Sequence, residues 1–444
     1  MSEPLAKEAP SAFALSGRKG VMKLLSGLSV EARHESRLVF AANPALFALL
    51  NLGRFVGPVR RIPRLGWLIT DPVLARRVLS DSAHTSLLGE GGVGHLWAQL
   101  LGDWVNDAFD GPGHLELRER GKDLFTDASA KAHVARVFHE PAIRLADKLR
   151  QGASVDISEI ARIWVGRMVA DLLGLPIRDN RDDSEFRSIF ACGERLAALA
   201  IGTIGSTVIK PEVVTEGRTI LEQLTSGVPE AYENADTSTL LGRCREAGIP
   251  LREARGLASL LLVAGTETAA SAMGRGVALL HDTGQQHALF AKPDLVPSSV
   301  REILRVTSPA PLIGRHVTSD IDVSGKTIRA GEQVLMLTYT ANNAAGRFDI
   351  GRPHDPKIRQ LWFGAGRHLC LGAPLARAEI TYLLETLMAQ QRPWRVVRRR
   401  ASRRVIIPAY AELIITCGPE KPPLRGGGRR GETLVGTRVG NGHA

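Results

Sequence analysis

The chain has 444 residues, 44% hydrophobic and 23% charged, the balance of a globular protein with a large core. Its four cysteines, Cys192, Cys244, Cys370 and Cys417, are scattered without a CxxC pair. That argues against a disulfide framework or a cysteine-rich zinc or iron–sulfur site and fits a reducing cytoplasm. The formal net charge of +11 is concentrated near the C-terminus. Residues 392–404 carry seven arginines and no acid, residues 405–444 add five basic and three acidic side chains, and only +2 remains for the first 391 positions. A nucleic-acid-binding role is therefore disfavoured.

Residues 1–20 read as a disordered segment, and Met1–Pro10 has no apolar run that could serve as a secretory signal. Leu38–Leu52 is the best membrane candidate, but it is too short and is broken by Asn43, Pro44 and Asn51. It reads as a packed helix pair, and no membrane anchor is expected. Val59–Thr70 reads as a hairpin, and Asp71 as the N-cap of a helix with Pro72 at its first position. Residues 82–103 are glycine-rich and irregular apart from a helix near Trp97. Helical periodicity follows at 114–126, 130–150, 157–174, 183–200, 212–226, 251–281 and 297–306. Short strands are expected over 312–338. The arginine run lies between two strand-like segments, Trp394–Val397 and Val405–Ile407, and reads as a solvated hairpin. The tail 419–444, with Gly426, Gly427 and Gly428, reads as disordered. The expected fold is mainly α with a small β region drawn from both ends of the chain, one domain over 21–418. No βαβ alternation appears and no GxGxxG follows a strand, so no nucleotide site is expected.

Cys370 stands in a glycine-rich loop, Phe363-Gly-Ala-Gly-Arg-His-Leu-Cys-Leu-Gly372, just before a helical run that begins at Ala373. A helix N-terminus and converging backbone N–H groups favour a thiolate, and glycines let a large planar ligand approach the backbone. A lone thiolate presented this way suits an axial ligand to haem iron. A second feature interrupts the strongest helical pattern, at Ala264-Gly265-Thr266-Glu267-Thr268. A mid-helix glycine costs about 1 kcal/mol against alanine, and threonine bonds back to the preceding turn and bends it. The pattern reads as a local opening for a small molecule.

The loop matches the signature Phe-Gly-x-Gly-x-His/Arg-x-Cys-x-Gly at Phe363, Gly364, Gly366, His368, Cys370 and Gly372, and here the chain resembles the cytochrome P450 family. The resemblance spans roughly residues 55–418. It implies the family's helix-rich triangular-prism fold, haem b as cofactor and Cys370 as the iron ligand. Ala264, Gly265, Glu267 and Thr268 match the oxygen-binding kink. Thr268 would be the hydroxyl that serves oxygen activation, and Glu267 would relay protons from solvent. His114 and Arg118, at i, i+4 on one helix face, with Arg315 and His368, would hold the haem propionates. Glu302 and Arg305, an ExxR pair, would brace the haem loop, with Arg347 as third member and Arg352 as fallback.

The implied activity is insertion of one oxygen atom of O2 into an apolar organic substrate, by hydroxylation or epoxidation. Electrons would come from NAD(P)H through ferredoxin reductase and ferredoxin. Substrate walls are expected near Leu87–Leu101, Leu199–Ile209 and Ser308–Ile313, with Leu261 and Ala264. Two alternatives stay open: a peroxide-driven haem-thiolate enzyme, which would replace Glu267-Thr268 by Arg-Pro, and a non-catalytic haem sensor or carrier. One departure from the family is that 341–346 lacks Asn-Arg-Asp-Pro and looks shortened.

Overall fold

The computed structural model describes residues 29–418, except 56, 103–105, 107–108, 112, 179–181, 201–207, 235 and 357–359. The segments 1–20 and 419–444, read as disordered, lie outside the described residues. Helices dominate. The described residues open with α1 (Val30–Ala42) and α2 (Pro44–Leu52), the expected pair, and the Asn43 side chain caps α2 by accepting from Leu46 N at 3.0 Å. Then come α3 (Pro72–Ser80), α4 (Val93–Leu101), α5 (Gly113–Gly121), α6 (Asp127–Arg150), α7 (Ile157–Leu173) and α8 (Asp183–Ala200). The Asp71 carboxylate accepts from Val73 N and Leu74 N, both at 2.9 Å, which starts α3 where the sequence places it. Next are α9 (Pro211–Leu224), α10 (Val228–Asn234), α11 (Leu240–Glu246), α12 (Leu251–Ala264), α13 (Glu267–Asp282), α14 (Gln286–Ala291) and α15 (Val296–Thr307). The short α16 (Thr338–Asn343) and the long α17 (Ala373–Met388) complete the set.

Strands come from both ends of the chain. The hairpin β1 (Val59–Ile62) and β2 (Gly66–Ile69) pairs Val59 with Ile69. The other strands are β3 (Thr85–Ser86), β4 (Val155–Asp156), β5 (Ile313–Val317), β6 (Ile321–Val323), β7 (Lys326–Ile328), β8 (Gln333–Met336), β9 (Arg395–Ala401) and β10 (Tyr410–Thr416). One sheet has the order β1-β2-β8-β5-β3, a second β4-β10-β9, and β6-β7 form a hairpin.

The arginine run differs from the expectation in two ways. The partner strand is β10, not Val405–Ile407, because Pro408 has no N–H to give a ladder. Nor is every arginine solvated: Arg392, Arg398, Arg400, Arg403 and Arg404 are exposed as expected, but Arg395 and Arg399 are half-buried. Arg399 makes a bidentate pair with the buried Asp282 at 2.6 and 2.7 Å, and Arg398 and Arg400 face Glu412.

The main core forms where α6, α7, α13, α15 and α17 pack together. Phe138 of α6 meets Trp164 of α7 at 4.8 Å and Tyr382 of α17 at 6.0 Å between ring centroids. The length and apolar content of α12–α13 would satisfy a membrane span, but most of this stretch is buried as the central helix of the fold. Arg275, at 0% exposure, pairs with Glu35 of α1 and also donates to Pro408 O, locking the N-terminal helix onto the far half of the central helix.

Candidate active site

The central helix breaks where the sequence predicts. Helix α12 ends at Ala264, Gly265 and Thr266 form a turn, and α13 begins at Glu267. The buried Thr266 Oγ1 donates to Leu262 O at 3.0 Å, and Thr268 Oγ1 donates to Ala264 O at 3.0 Å. A Cβ on Gly265 would sit 2.8 Å from Leu261 O. Two threonines therefore occupy the carbonyls of the last turn of α12, which is how the helix tolerates the break.

Cys370 closes a tight loop. Its N–H donates to Phe363 O at 2.8 Å, and Phe363 is buried against Trp362 with ring centroids 3.8 Å apart. Trp362 Nε1 donates to Leu304 O at 2.8 Å, tying the loop to α15. Gly364 and Gly366 hold φ of +74° and +62°, and a Cβ on Gly366 would fall 2.9 Å from Ser80 Cα. Gly372 has ordinary φ, and a Cβ there would lie 3.8 Å from Cys370 Sγ, an ordinary contact, so neither backbone nor packing demands glycine at this position.

Helix α17 starts directly after Gly372, so Cys370 sits at its N-terminal end. Burial pushes the thiol pKa up, while N–H groups of Gly372 and Ala373 and the charges of Arg118 and Arg377 pull it down. Cys370 is deeply enclosed by protein, yet its side chain has accessible surface. Ala264, on the central helix, is likewise exposed.

The cations and histidines singled out from sequence converge beside this loop. His114 Nε2 lies 3.2 Å from Arg367 O, Arg118 donates to Leu369 O, and the rings of His114 and His368 are 4.8 Å apart. His368 Nε2 lies 2.8 Å from Asp110 Oδ1. The sequence gives no sign of a partner for Asp110, because Asp110-Gly-Pro-Gly reads as a turn. Burial alone would raise its pKa, but bonds from His368, Ser86 Oγ and Leu87 N hold it down at about 2. Arg315 is 2% exposed, and burial lowers its pKa to about 10 against the pull of Asp110. Its guanidinium donates to Gly314 O at 2.9 Å and to no carboxylate among the described residues. A buried guanidinium with so little compensation fits an anionic ligand. The enclosed thiol, the glycines beside it and this cation fit haem with its propionates.

Glu302 and Arg305 of α15 meet as a buried pair. Arg305 and Glu302 are 2% and 4% exposed and joined at 2.8 and 2.6 Å. Arg305 also donates to the carbonyls of Asn342, Gly346 and Arg347 at 2.7, 2.9 and 3.1 Å. The third member is corrected. The Arg347 side chain is exposed and only its carbonyl takes part, whereas Arg352 Nε reaches Glu302 Oε1 at 3.3 Å. The reason is local: Gly346 at φ +99° turns the chain so that the Arg347 carbonyl, not its side chain, faces Arg305.

Of the expected substrate walls, α4 meets Ile209, with Gln99 Oε1 accepting from Ile209 N at 2.8 Å, while 201–207 lies outside the described residues. Ser308 is corrected as a wall residue. It is fully buried and holds the frame, donating to Arg305 O and accepting from Asn342 Nδ2, both at 2.9 Å.

A family model described as Cytochrome P450 matches residues 281–392, which include the ExxR pair and Cys370. A relative from Mycobacterium bovis, "Putative cytochrome P450 140", is 30% identical over 341 residues, covering 71% of this chain and 73% of that protein. The "Biotin biosynthesis cytochrome P450" of Bacillus subtilis is 30% identical over 292 residues, covering 62% and 70%. Among solved structures, P450BioI in complex with an acyl carrier protein bearing hexadec-9Z-enoic acid matches with TM-score 0.69 and 25% identity, over 85% of this chain and 99% of that one. The fold is the triangular prism of these proteins. The chain belongs to the cytochrome P450 family and is a monooxygenase of the bacterial type.

Proposed function

We propose that this chain inserts one atom of O2 into an apolar organic substrate, by hydroxylation or epoxidation, in the cytoplasm. It would use haem b ligated by Cys370 and electrons passed from NAD(P)H through ferredoxin reductase and ferredoxin. The observation that carries the reading is the enclosed Cys370 thiol at the start of α17, in a fold whose central helix breaks at Gly265-Thr266 beside Glu267 and Thr268. When bound, haem would supply one-electron redox chemistry and dioxygen activation, which a thiolate ligand favours.

The protein's own residues have distinct tasks. Arg315, His114, Arg118 and His368 would hold the propionates, with Asp110 fixing the His368 ring. The dipole of α17 and the N–H groups of Gly372 and Ala373 favour the anionic form of Cys370. Thr268 holds a hydroxyl at the helix break, and releasing its bond to Ala264 O frees it for a new acceptor. Burial, with repulsion from Glu194 added, pushes the Glu267 pKa up to about 8, so at neutral pH it carries a proton it can give. An intact Glu267-Thr268 pair favours O2 over peroxide as oxidant. The aliphatic walls of the central helix exclude bulk water.

The test is isotopic. With a surrogate ferredoxin pair, NADPH and a panel of apolar substrates, product formed under 18O2 should carry one labelled oxygen atom. Product labelled from H2 18O instead, or formed only with added hydrogen peroxide, would contradict the reading.

A further inference from the structure

A small cavity with a mixed polar and apolar lining lies beside the helix break. It offers ≈ 30 Å³ of room for water, enough for about two molecules, and Arg162, Glu194, Glu267, Ser271 and Tyr410 are among its walls. These residues come from four elements: α7, α8, α13 and β10. Helix α8 comes close because Gly193 has no side chain; a Cβ there would fall 2.8 Å from Thr266 Oγ1 and 3.1 Å from Leu262 O.

The charges around the cavity run from buried Arg162 to half-exposed Glu194. Glu267 is half-buried at the start of α13, and no salt bridge reaches it among the described residues. Arg162, with its side chain 9% exposed, donates to Glu194 Oε1 at 3.2 Å and is anchored on Tyr410 O at 2.9 Å. Glu194 is 32% exposed, so it touches both the cavity and solvent. Beyond it, Arg187 donates to Glu194 Oε2 at 3.3 Å and to Glu159 at 3.0 Å, and Glu159 also lies 3.7 Å from Arg162. Glu267 therefore faces one carboxylate, Glu194, and one cation, Arg162; Glu159 and Arg187 complete the outer ring. Three carboxyls against two guanidiniums leave one negative charge in excess, which a proton on Glu267 removes.

We propose that Glu194 is the outer station of a proton relay, taking a proton from solvent and passing it through the cavity to Glu267, with Arg162 holding Glu194 in place. One proton enters at Glu194 for each that Glu267 gives toward Thr268, and no electron moves. This rests on the reading of Glu267 and Thr268 as proton donors. The sequence does not join these residues, because Arg162 and Glu194 lie on separate helices and meet only in the folded chain.

The experiment is a difference-infrared titration of the protonated-carboxyl band in wild type, Glu267→Gln, Glu194→Gln and Arg162→Gln, with turnover and its solvent isotope effect measured alongside. The wild-type band should titrate near the expected midpoint of about 8 and vanish in Glu267→Gln. In Glu194→Gln the midpoint should fall by about 1 unit, as a repelling charge is lost, and in Arg162→Gln it should rise. Opposite signs are not expected from mere structural damage. Glu194→Gln should also slow product formation and enlarge the solvent isotope effect, and Glu194→Asp should restore both in part. An unmoved midpoint in Glu194→Gln, or a moved one with wild-type turnover and isotope effect, would overturn the relay. Failure of the underlying reading would show separately, as a wild-type protein without haem-thiolate absorption; the infrared titration reads the carboxyl pair in either case.

Discussion

Arg305→Ala is expected to yield little haem-loaded protein. The guanidinium is 2% exposed and makes bonds to both oxygens of Glu302 and to three carbonyls of the segment 342–347. Removing it leaves the Glu302 carboxylate buried with Arg352 as its remaining cation, at 3.3 Å and on the more exposed side. Truncating one partner of a buried pair costs about 3–5 kcal/mol. A domain's whole stability is about 5–15 kcal/mol. The damage would spread to the cofactor because Asn342 and Trp362 join the same frame: Asn342 Oδ1 accepts from Leu361 N at 3.3 Å, and Trp362 Nε1 donates to Leu304 O, both next to the Cys370 loop. The check is the ratio of haem to protein absorbance in purified variants, with thermal unfolding beside it. Arg305→Lys should recover only part of the loss, because an ammonium cannot form the fork that bonds both oxygens. Normal haem loading in Arg305→Ala would contradict the structural role.

Thr268→Ala is expected to keep haem and ligand binding while product formation falls on the order of 10²-fold, the low end of what a positioned proton donor contributes. Reducing equivalents should then leave as hydrogen peroxide. The fold should survive, since the lost bond, from Thr268 Oγ1 to Ala264 O at 3.0 Å, spans one helical turn of its own chain. Thr266, buried at 0% exposure and bonded back to Leu262 O, would still hold the break open. Peroxide and product are measured per NADPH consumed. Unchanged coupling would remove Thr268 from the proton path and leave Glu267 to act through water alone.

Much of this site was legible in the sequence because its chemistry is local. The loop around Cys370 needs glycine at positive φ at Gly364 and Gly366, and a helix start at Ala373, within about ten consecutive positions. The helix break needs a glycine and two threonines within the four positions 265–268, which periodicity makes conspicuous. Helix and hairpin positions followed from caps and alternation, as at Asp71 and Val59–Thr70. What stayed hidden depends on contacts between distant segments. Asp110 pairs with His368 across 258 positions, and its turn sequence gave no hint of a partner. Arg347 and Arg352 stand five residues apart in a loop without periodicity, so the choice between them was settled by the turn at Gly346. Val405–Ile407 carries strand-like residues, but Pro408 cuts the ladder and the strand starts at Tyr410 instead.

The most direct test of the central claim is the absorption spectrum of the reduced, carbon monoxide-bound protein, wild type beside Cys370→Ser. A strongly red-shifted Soret band in the wild type, lost in the variant, is the predicted result and would establish Cys370 as the thiolate ligand. An ordinary histidine-like carbon monoxide spectrum in the wild type, a red-shifted band that survives in Cys370→Ser, or a protein that takes up no haem would contradict it.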